Sequence, residues 1–292
     1  MVGVLDWRPV EFEKWQALGN DYVIVEAAQL PFELTAPRIR AICAPHTGVA
    51  ADGILLLSEP EHEGYVARLR IFNPDGSEAE LSGNGAREAV LYLRRHGWTD
   101  ADSFAIETLS GDIRPVILSD TECTIDMGQA QLQSRGFPSG GPDGRGVLTA
   151  GVRSWRFQHV QVGNPQCAIH IETEDELDGL DLKVIGPGIE HHELFPNRTN
   201  VSWFTELARG RIRARIFERG VGETTASGTG ATGAAVAYVL DGGRSPVTVV
   251  LDGGELTVEV AEDLQIKLTG WAVPVYRASL AETFLQELHA TQ

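Results

Sequence analysis

Apolar residues along this chain come in short runs separated by Gly, Pro, Asn and Asp. Tyr22–Val25 and Ala67–Phe72 have the length and the β-branched and aromatic content of strands. So do Val247–Leu251, Leu256–Val260 and Leu264–Leu268, joined by turn residues at Asp252-Gly253-Gly254 and Glu262-Asp263. Two segments follow a helical period instead. In Ala86–His96, residues Ala86, Ala89, Val90 and Leu93 fall on one face and Arg87, Glu88, Arg94 and Arg95 on the other, which predicts an amphipathic helix. Ala231–Leu240 is apolar nearly all round and predicts a buried helix, stopped by Asp241-Gly242-Gly243. The Gly/Pro-rich stretch Ser134–Gly146 predicts a long loop or a domain boundary, and Ala281–Leu288 a surface helix.

The pattern occurs twice. RIFNPDGSEAELSGNGAREAVLYL from Arg70 and RIFERGVGETTASGTGATGAAVAY from Arg215 align without a gap at an offset of 145 residues, with nine identities in 24 positions, and bring Ser82 onto Ser227. An earlier echo, Leu18-Gly19-Asn20 and Val162-Gly163-Asn164, keeps an offset of 144. The shared order is Gly-Asn, strand, R-I-F strand, S-G-x-G, helix. It predicts two homologous halves related by a pseudo-twofold axis.

Composition narrows the function classes. The chain has 292 residues, room for about two ordinary domains. It is 42% apolar, enough for a sizeable core. A net charge of −17 argues against nucleic acid and against an anionic membrane surface, since both reward clustered cations. The three cysteines, Cys43, Cys123 and Cys167, are odd in number and widely spaced, which speaks against a disulfide framework or a Cys-rich zinc site and suits a reducing compartment. The start, MVGVLDWRPVEFEKW, does not read as a signal peptide, and no apolar run reaches the roughly 20 residues of a membrane span. The expectation is a cytoplasmic protein. His191-His192-Glu193 reads as loop polarity rather than a metal site, and Glu172–Glu176 with Asp178 as solvated surface.

The chemistry gathers at the repeated S-G-x-G. A glycine-rich turn into a helix start presents unpaired N–H groups and the positive end of the helix dipole, which favours an anion. The P-loop spacing and its lysine are missing, so phosphate is weakly supported. Alone, Ser82 and Ser227 read as helix caps. Duplicated, two such helix starts are expected to face one cleft, with two equivalent groups on opposite sides of a bound carboxylate. One group then removes the α-proton of an amino acid while the other returns a proton on the opposite face, and the helix starts stabilise the enolate-like charge. That reaction needs no cofactor, and nothing in the chain suggests pyridoxal phosphate.

At these residues the chain resembles the diaminopimelate epimerase family, over nearly its full length. The matching segments are LGNDYVIVE from Leu18, ADGILLL from Ala51, RIFNPDGSEAELSGNGAR from Arg70, VGNPQCAIHI from Val162, FPNRTNV from Phe195 and RIFERGVGETTASGTGA from Arg215. The resemblance implies an α/β (α+β) protein of two pseudo-twofold-related domains, each a β-sheet wrapped around a central helix. The expected bounds are 1–130, with 275–292 returning to it, and 131–274. It implies a cofactor-independent, two-base interconversion of LL- and meso-diaminopimelate in lysine and cell-wall synthesis, with no metal. It also implies a small-molecule amino acid as substrate and a homodimer with Tyr276 near its interface. By family position Ser82 and Ser227 are the catalytic pair. Asn20, Asn73, Asn164 and Asn200 hold the polar ends of the substrate, and Arg219 pairs its distal carboxylate. Glu218 contacts the distal amino end or supports the base beside it, while Gly83-Asn84 and Gly228-Thr229 offer N–H groups to the reacting carboxylate. Read without the family, each Asn is equally a turn residue, and Arg219 a surface ion-pair partner of Glu218 or Glu223.

Three positions depart from the family. Its acid/base pair is cysteine, where this chain has serine twice. A thiol titrates near pH 8.5 and lower still at a helix start, whereas a serine hydroxyl needs an adjacent base. Gln166 stands where the family carries a histidine, and Gly53 where many members carry a glutamine. Cys167 reads as core packing and does not replace the missing thiols. Several readings stay open. A hydroxyl pair activated by its neighbours does the same reaction; an engineered Cys→Ser pair traps substrate; or the chain binds a diaminopimelate-like amino acid without turnover. The last is a one-base isomerase of the phenazine-biosynthesis type, with Glu80 or Glu223 as the nearest carboxylate.

Overall fold

Both helices marked by apolar periodicity begin three residues earlier than that periodicity shows, at Gly83 and Gly228, so the S-G-x-G glycines form the first helical turn itself. The computed structural model describes residues 9–79, 82–109 and 111–291. Glu80, one of the two candidate one-base carboxylates, lies outside the described residues. The chain divides into two units, Met1–Cys123 with Trp271–Gln292, and Thr124–Gly270.

In the first unit the strands run across the sheet in the order Val273–Ser279, Glu11–Ala17, Asn20–Glu26, Ile54–Ser58, Ala67–Phe72, Ile106–Thr108, Gly111–Ile113. In the second the order starts with Arg145–Ala150, Arg153–Val162, Asn164–His170, Asn200–Ala208, Arg211–Glu218, Val247–Leu251, Gly254–Val260 and continues to Gln265–Trp271. The same two neighbour pairs are parallel in each, Asn20–Glu26 with Ile54–Ser58 and Ala67–Phe72 with Ile106–Thr108 in one, and their counterparts in the other. The register repeats as well, with Val23 opposite Ile54 opposite Phe72, and Cys167 opposite Val201 opposite Phe217. The duplication legible in the sequence is therefore present in topology and register. It makes Tyr22 equivalent to Gln166, Gly53 to Asn200, Asn73 to Glu218, and Glu88 to Gly233.

Strand alternation gives each sheet two buried faces. In the first unit Val23, Val25, Ile54 and Leu56 pack outward, under the helix Ala36–Cys43 and under Leu285 and Leu288 of the C-terminal helix Glu282–Ala290. In the second, Cys167, Ile169, Val201 and Trp203 pack under Leu182 and Ile189 of the helix Leu182–Glu190, with Phe137 from the Gly/Pro-rich stretch in the same core. The opposite faces close on the central helices Gly83–Arg95 and Gly228–Leu240, which are buried almost throughout. Close approach explains the second glycine of each motif. A Cβ at Gly85 would lie 2.9 Å from Leu55, and one at Gly230 2.7 Å from Ile216.

The first central helix corrects the amphipathic expectation. Arg87 and Glu88 are both fully buried, at 0% exposure. Arg87 is accommodated because its guanidinium donates to Gly83 O at 3.0 Å and to Asn84 Oδ1 at 2.6 Å, and burial holds it down at about 10. Burial pushes the Glu88 carboxyl well above its ordinary range, against the pull of Arg87.

Candidate active site

Ser82 and Ser227 each stand in extended conformation at the residue before the helix. Their Oγ atoms accept the N–H of Gly85 at 3.1 Å and of Gly230 at 3.3 Å. As N-caps they satisfy one backbone donor apiece, worth about 0.5–2 kcal/mol. The N–H groups of Gly83-Asn84 and Gly228-Thr229 belong to the first turn, where a helix has no acceptors of its own.

The surroundings of the two caps differ. In the second unit Glu218 ends its strand with both carboxylate oxygens engaged. Oε2 accepts the Ser227 hydroxyl at 2.9 Å and Oε1 the Thr224 hydroxyl at 2.8 Å. Burial raises the Glu218 pKa above its ordinary value, and the two hydroxyl donors act the other way. A carboxylate is thus in place to take the proton of Ser227. Glu223 is not in that position, because it is paired with Arg215 at 2.6 Å.

A chain of amides sits beside this pair, and one backbone donor fixes its orientation. The Arg219 N–H donates to Asn200 Oδ1 at 2.8 Å, so the Asn200 amide nitrogen faces Asn164 Oδ1 at 3.1 Å and Pro165 O at 3.2 Å. Gln166 also donates to Asn164 Oδ1. The Asn164 oxygen thus accepts two amide donors, which leaves its NH2 as the hydrogen-bonding group that this chain does not use. The buried Gln166 Oε1 has no partner among the described residues. The Arg219 guanidinium is exposed and donates to Asn197 O at 3.0 Å, and it forms no ion pair among the described residues. Buried Glu190 secures the turn that follows by accepting the Gly220 N–H at 2.9 Å.

In the first unit the corresponding chain is anchored by an acid. Asp52 Oδ2 accepts the Asn20 amide at 2.9 Å and the Asp21 N–H at 3.0 Å, Asn20 Oδ1 accepts Asn84 Nδ2 at 3.1 Å, and Asn84 Oδ1 meets Arg87. Asn73 does not join this group, since its side chain donates to Ser77 Oγ at 2.9 Å within its own turn. Ser82 receives instead the Tyr22 hydroxyl at 3.2 Å. Gly53 has no room for a side chain. A Cβ there would lie 2.3 Å from Phe72 O and 2.6 Å from the Tyr22 ring.

The structure therefore brings Ser82, Gly83, Asn84 and Asn20 together in one unit, and Ser227, Gly228, Thr229, Glu218, Asn164, Asn200 and the Arg219 backbone in the other. Sequence reasoning missed Tyr22, Asp52, Arg87, Thr224 and Glu190. The 144-residue offset that aligns Asn20 with Asn164 also aligns Tyr22 with Gln166, and was the available signal for Tyr22.

The sequence and the fold both have counterparts among known proteins. The family model described as diaminopimelate epimerase matches residues 12–133 and 158–275. The chain belongs to the diaminopimelate epimerase family. Its relatives include the diaminopimelate epimerase of Synechococcus sp. (strain JA-3-3Ab), 39% identical over 282 residues and covering 94% of this chain and 99% of the relative. That of Magnetococcus marinus is 40% identical over 273 residues, covering 92% and 96%. Among solved structures, a phenazine biosynthesis protein of Bacillus anthracis superposes with a TM-score of 0.67 at 18% identity, covering 94% of this chain and 99% of the other. A hydroxyproline epimerase of Agrobacterium vitis gives 0.65 at 13% identity, covering 94% and 92%. At such identities these two speak for the fold. Among the described residues no cluster of three or more His, Cys, Asp or Glu converges on a metal position.

Proposed function

We propose that this chain is a cofactor-independent epimerase that interconverts LL- and meso-diaminopimelate with a pair of serines. The observation that carries the reading is the hydrogen bond from Ser227 Oγ to Glu218, which supplies the adjacent base that a serine requires. As the Ser227 oxygen takes the α-proton, its own proton passes to Glu218. Ser82 gives a proton to the opposite face of the same carbon. The charge that builds on the α-carboxylate is met by the N–H groups of Gly83, Asn84, Gly228 and Thr229. Asn164, Asn20, Asn84 and Asn200 orient the polar ends, and Asn73 joins them by releasing Ser77. Arg219, free of carboxylate partners among the described residues, pairs the distal carboxylate of the substrate.

The test is LL-to-meso conversion by chiral chromatography, with Ser82→Ala, Ser227→Ala protein run beside the wild type. Conversion by the wild type alone is the expected result. Saturable binding without conversion is the result for a binding protein or substrate trap.

We read the two units as the two epimerase-like domains. We also infer a homodimer through the edge strand Val273–Ser279, where Tyr276 is exposed, to be tested by analytical ultracentrifugation. A cytoplasmic location is supported by three buried free thiols and tested by fractionation. No helix of the described residues is long and apolar enough to cross a membrane.

A further inference from the structure

We propose that Tyr22 is the positioning residue of the Ser82 half: its phenol holds the Ser82 oxygen in place and replaces the proton that Ser82 gives to the substrate. This rests on the epimerase reading above. Three observations carry it. The phenol donates to Ser82 Oγ at 3.2 Å, and the Gly85 N–H donates to the same oxygen at 3.1 Å. Two donors occupy the oxygen, so the serine's own proton is directed away from both and is available to be given. Second, the ring is 6% exposed and wedged over Gly53, where any side chain would displace it. Third, Asn73, the counterpart of Glu218, is turned to Ser77, so among the described residues Tyr22 is the one side chain bonded to Ser82.

The two halves then carry complementary groups, an acceptor behind Ser227 and a donor behind Ser82. When Ser227 removes the α-proton, the Ser82 O–H bond breaks as a Cα–H bond forms on the opposite face. The Tyr22 O–H bond breaks as its proton passes to the Ser82 oxygen. The phenolate regains a proton from water while Glu218 releases one to water, and the turnover balances. A phenol suits this part because it is a far better proton donor than an aliphatic hydroxyl.

The experiment compares wild type, Tyr22→Phe and Glu218→Gln on two reactions. The first is interconversion of LL- and meso-diaminopimelate. The second uses diaminopimelate with fluorine on the β-carbon, in both configurations at the reacting α-carbon. Loss of its α-proton expels fluoride, so release reports a base on one face with no donor on the other. Tyr22→Phe is expected to slow interconversion by about 10²-fold or more. Fluoride release from one configuration stays near wild type, release from the other falls, and Glu218→Gln shows the reverse preference. A phenylalanine variant that interconverts the isomers at the wild-type rate, or that loses fluoride release from both configurations alike, overturns the proposal. If wild type neither interconverts the isomers nor releases fluoride, the epimerase reading itself fails, and the role of Tyr22 with it.

Discussion

The two serine caps share a backbone and differ in what stands behind them. Both are extended residues whose Oγ accepts an N–H three residues on, before a helix whose third residue is a glycine pressed against a strand. Behind Ser227 a carboxylate accepts its proton; behind Ser82 a phenol donates to its oxygen. The exchange arises at equivalent positions, Glu218 for Asn73 and Gln166 for Tyr22. The duplication has kept the serine-capped helix start and has let the groups behind it diverge. A serine pair, which lacks the acidity of thiols, gains from such specialised neighbours.

The sharpest way to break the comparison is to remove the carboxylate. Glu218→Gln is expected to lower LL-to-meso conversion by about 10²–10⁴-fold in steady-state assays. Asn73→Ala, at the equivalent position, is expected to act mainly on KM. Because burial raises the Glu218 pKa above 4.5 and the base must be ionised, wild-type activity should fall on the acid side at a pH above that value. Equal losses of kcat in the two variants would remove the asymmetry.

Smaller effects test the frames that hold the caps. A Cβ at Gly233 would lie 2.8 Å from Gln166 Cβ, so Gly233→Ala should destabilise the fold by about 1–3 kcal/mol in chemical denaturation. An unchanged midpoint would show that this half is less tightly closed than its geometry indicates. Asn200→Ala and Asp52→Ala each cut one amide chain at the group that orients it. Each is expected to raise KM about tenfold, the equivalent of about 1.4 kcal/mol, with kcat less affected. Calorimetric binding that stays as tight as wild type contradicts that role.

A purely pH-dependent effect concerns Glu88, the counterpart of Gly233. Its folded pKa is raised by burial, so folding favours the protonated form. That contribution is fully present below the ordinary glutamate value and is lost as pH rises through the raised folded value. Wild type should therefore lose stability with rising pH more steeply than Glu88→Gln, by up to about 1.4 kcal/mol per pH unit. Parallel denaturation profiles would show that Glu88 does not titrate in the way its burial implies.

Much of this was legible in the sequence because the repeat is written in residues that the backbone requires. Serine at each cap, glycine against a strand and the Gly-Asn turn before a strand have local causes and made the repeat and its two helices readable, while turn residues marked the strands that follow Val247. The strands Ala67–Phe72 and Val247–Leu251 have the bounds expected of them. The helix faces were less legible. Arg87 and Glu88 look like a solvent side by period alone. Arg87 is buried because Gly83 and Asn84 supply acceptors, and burial raises the pKa of Glu88 beside it. Tyr22 looks like an ordinary strand aromatic until the fold brings a residue 60 positions away onto its hydroxyl. Contacts of that range follow from sheet register, which a sequence window does not contain.

The central claim is that two separate groups, one on each half, handle the α-proton. LL-diaminopimelate incubated in D2O, with NMR at early conversion, tests it most directly. The account predicts solvent deuterium at the new α-centre of the meso product, protium retained in the remaining substrate, and neither conversion nor exchange with Ser82→Ala, Ser227→Ala protein. Protium carried from substrate into product, or binding with neither exchange nor inversion, would contradict it.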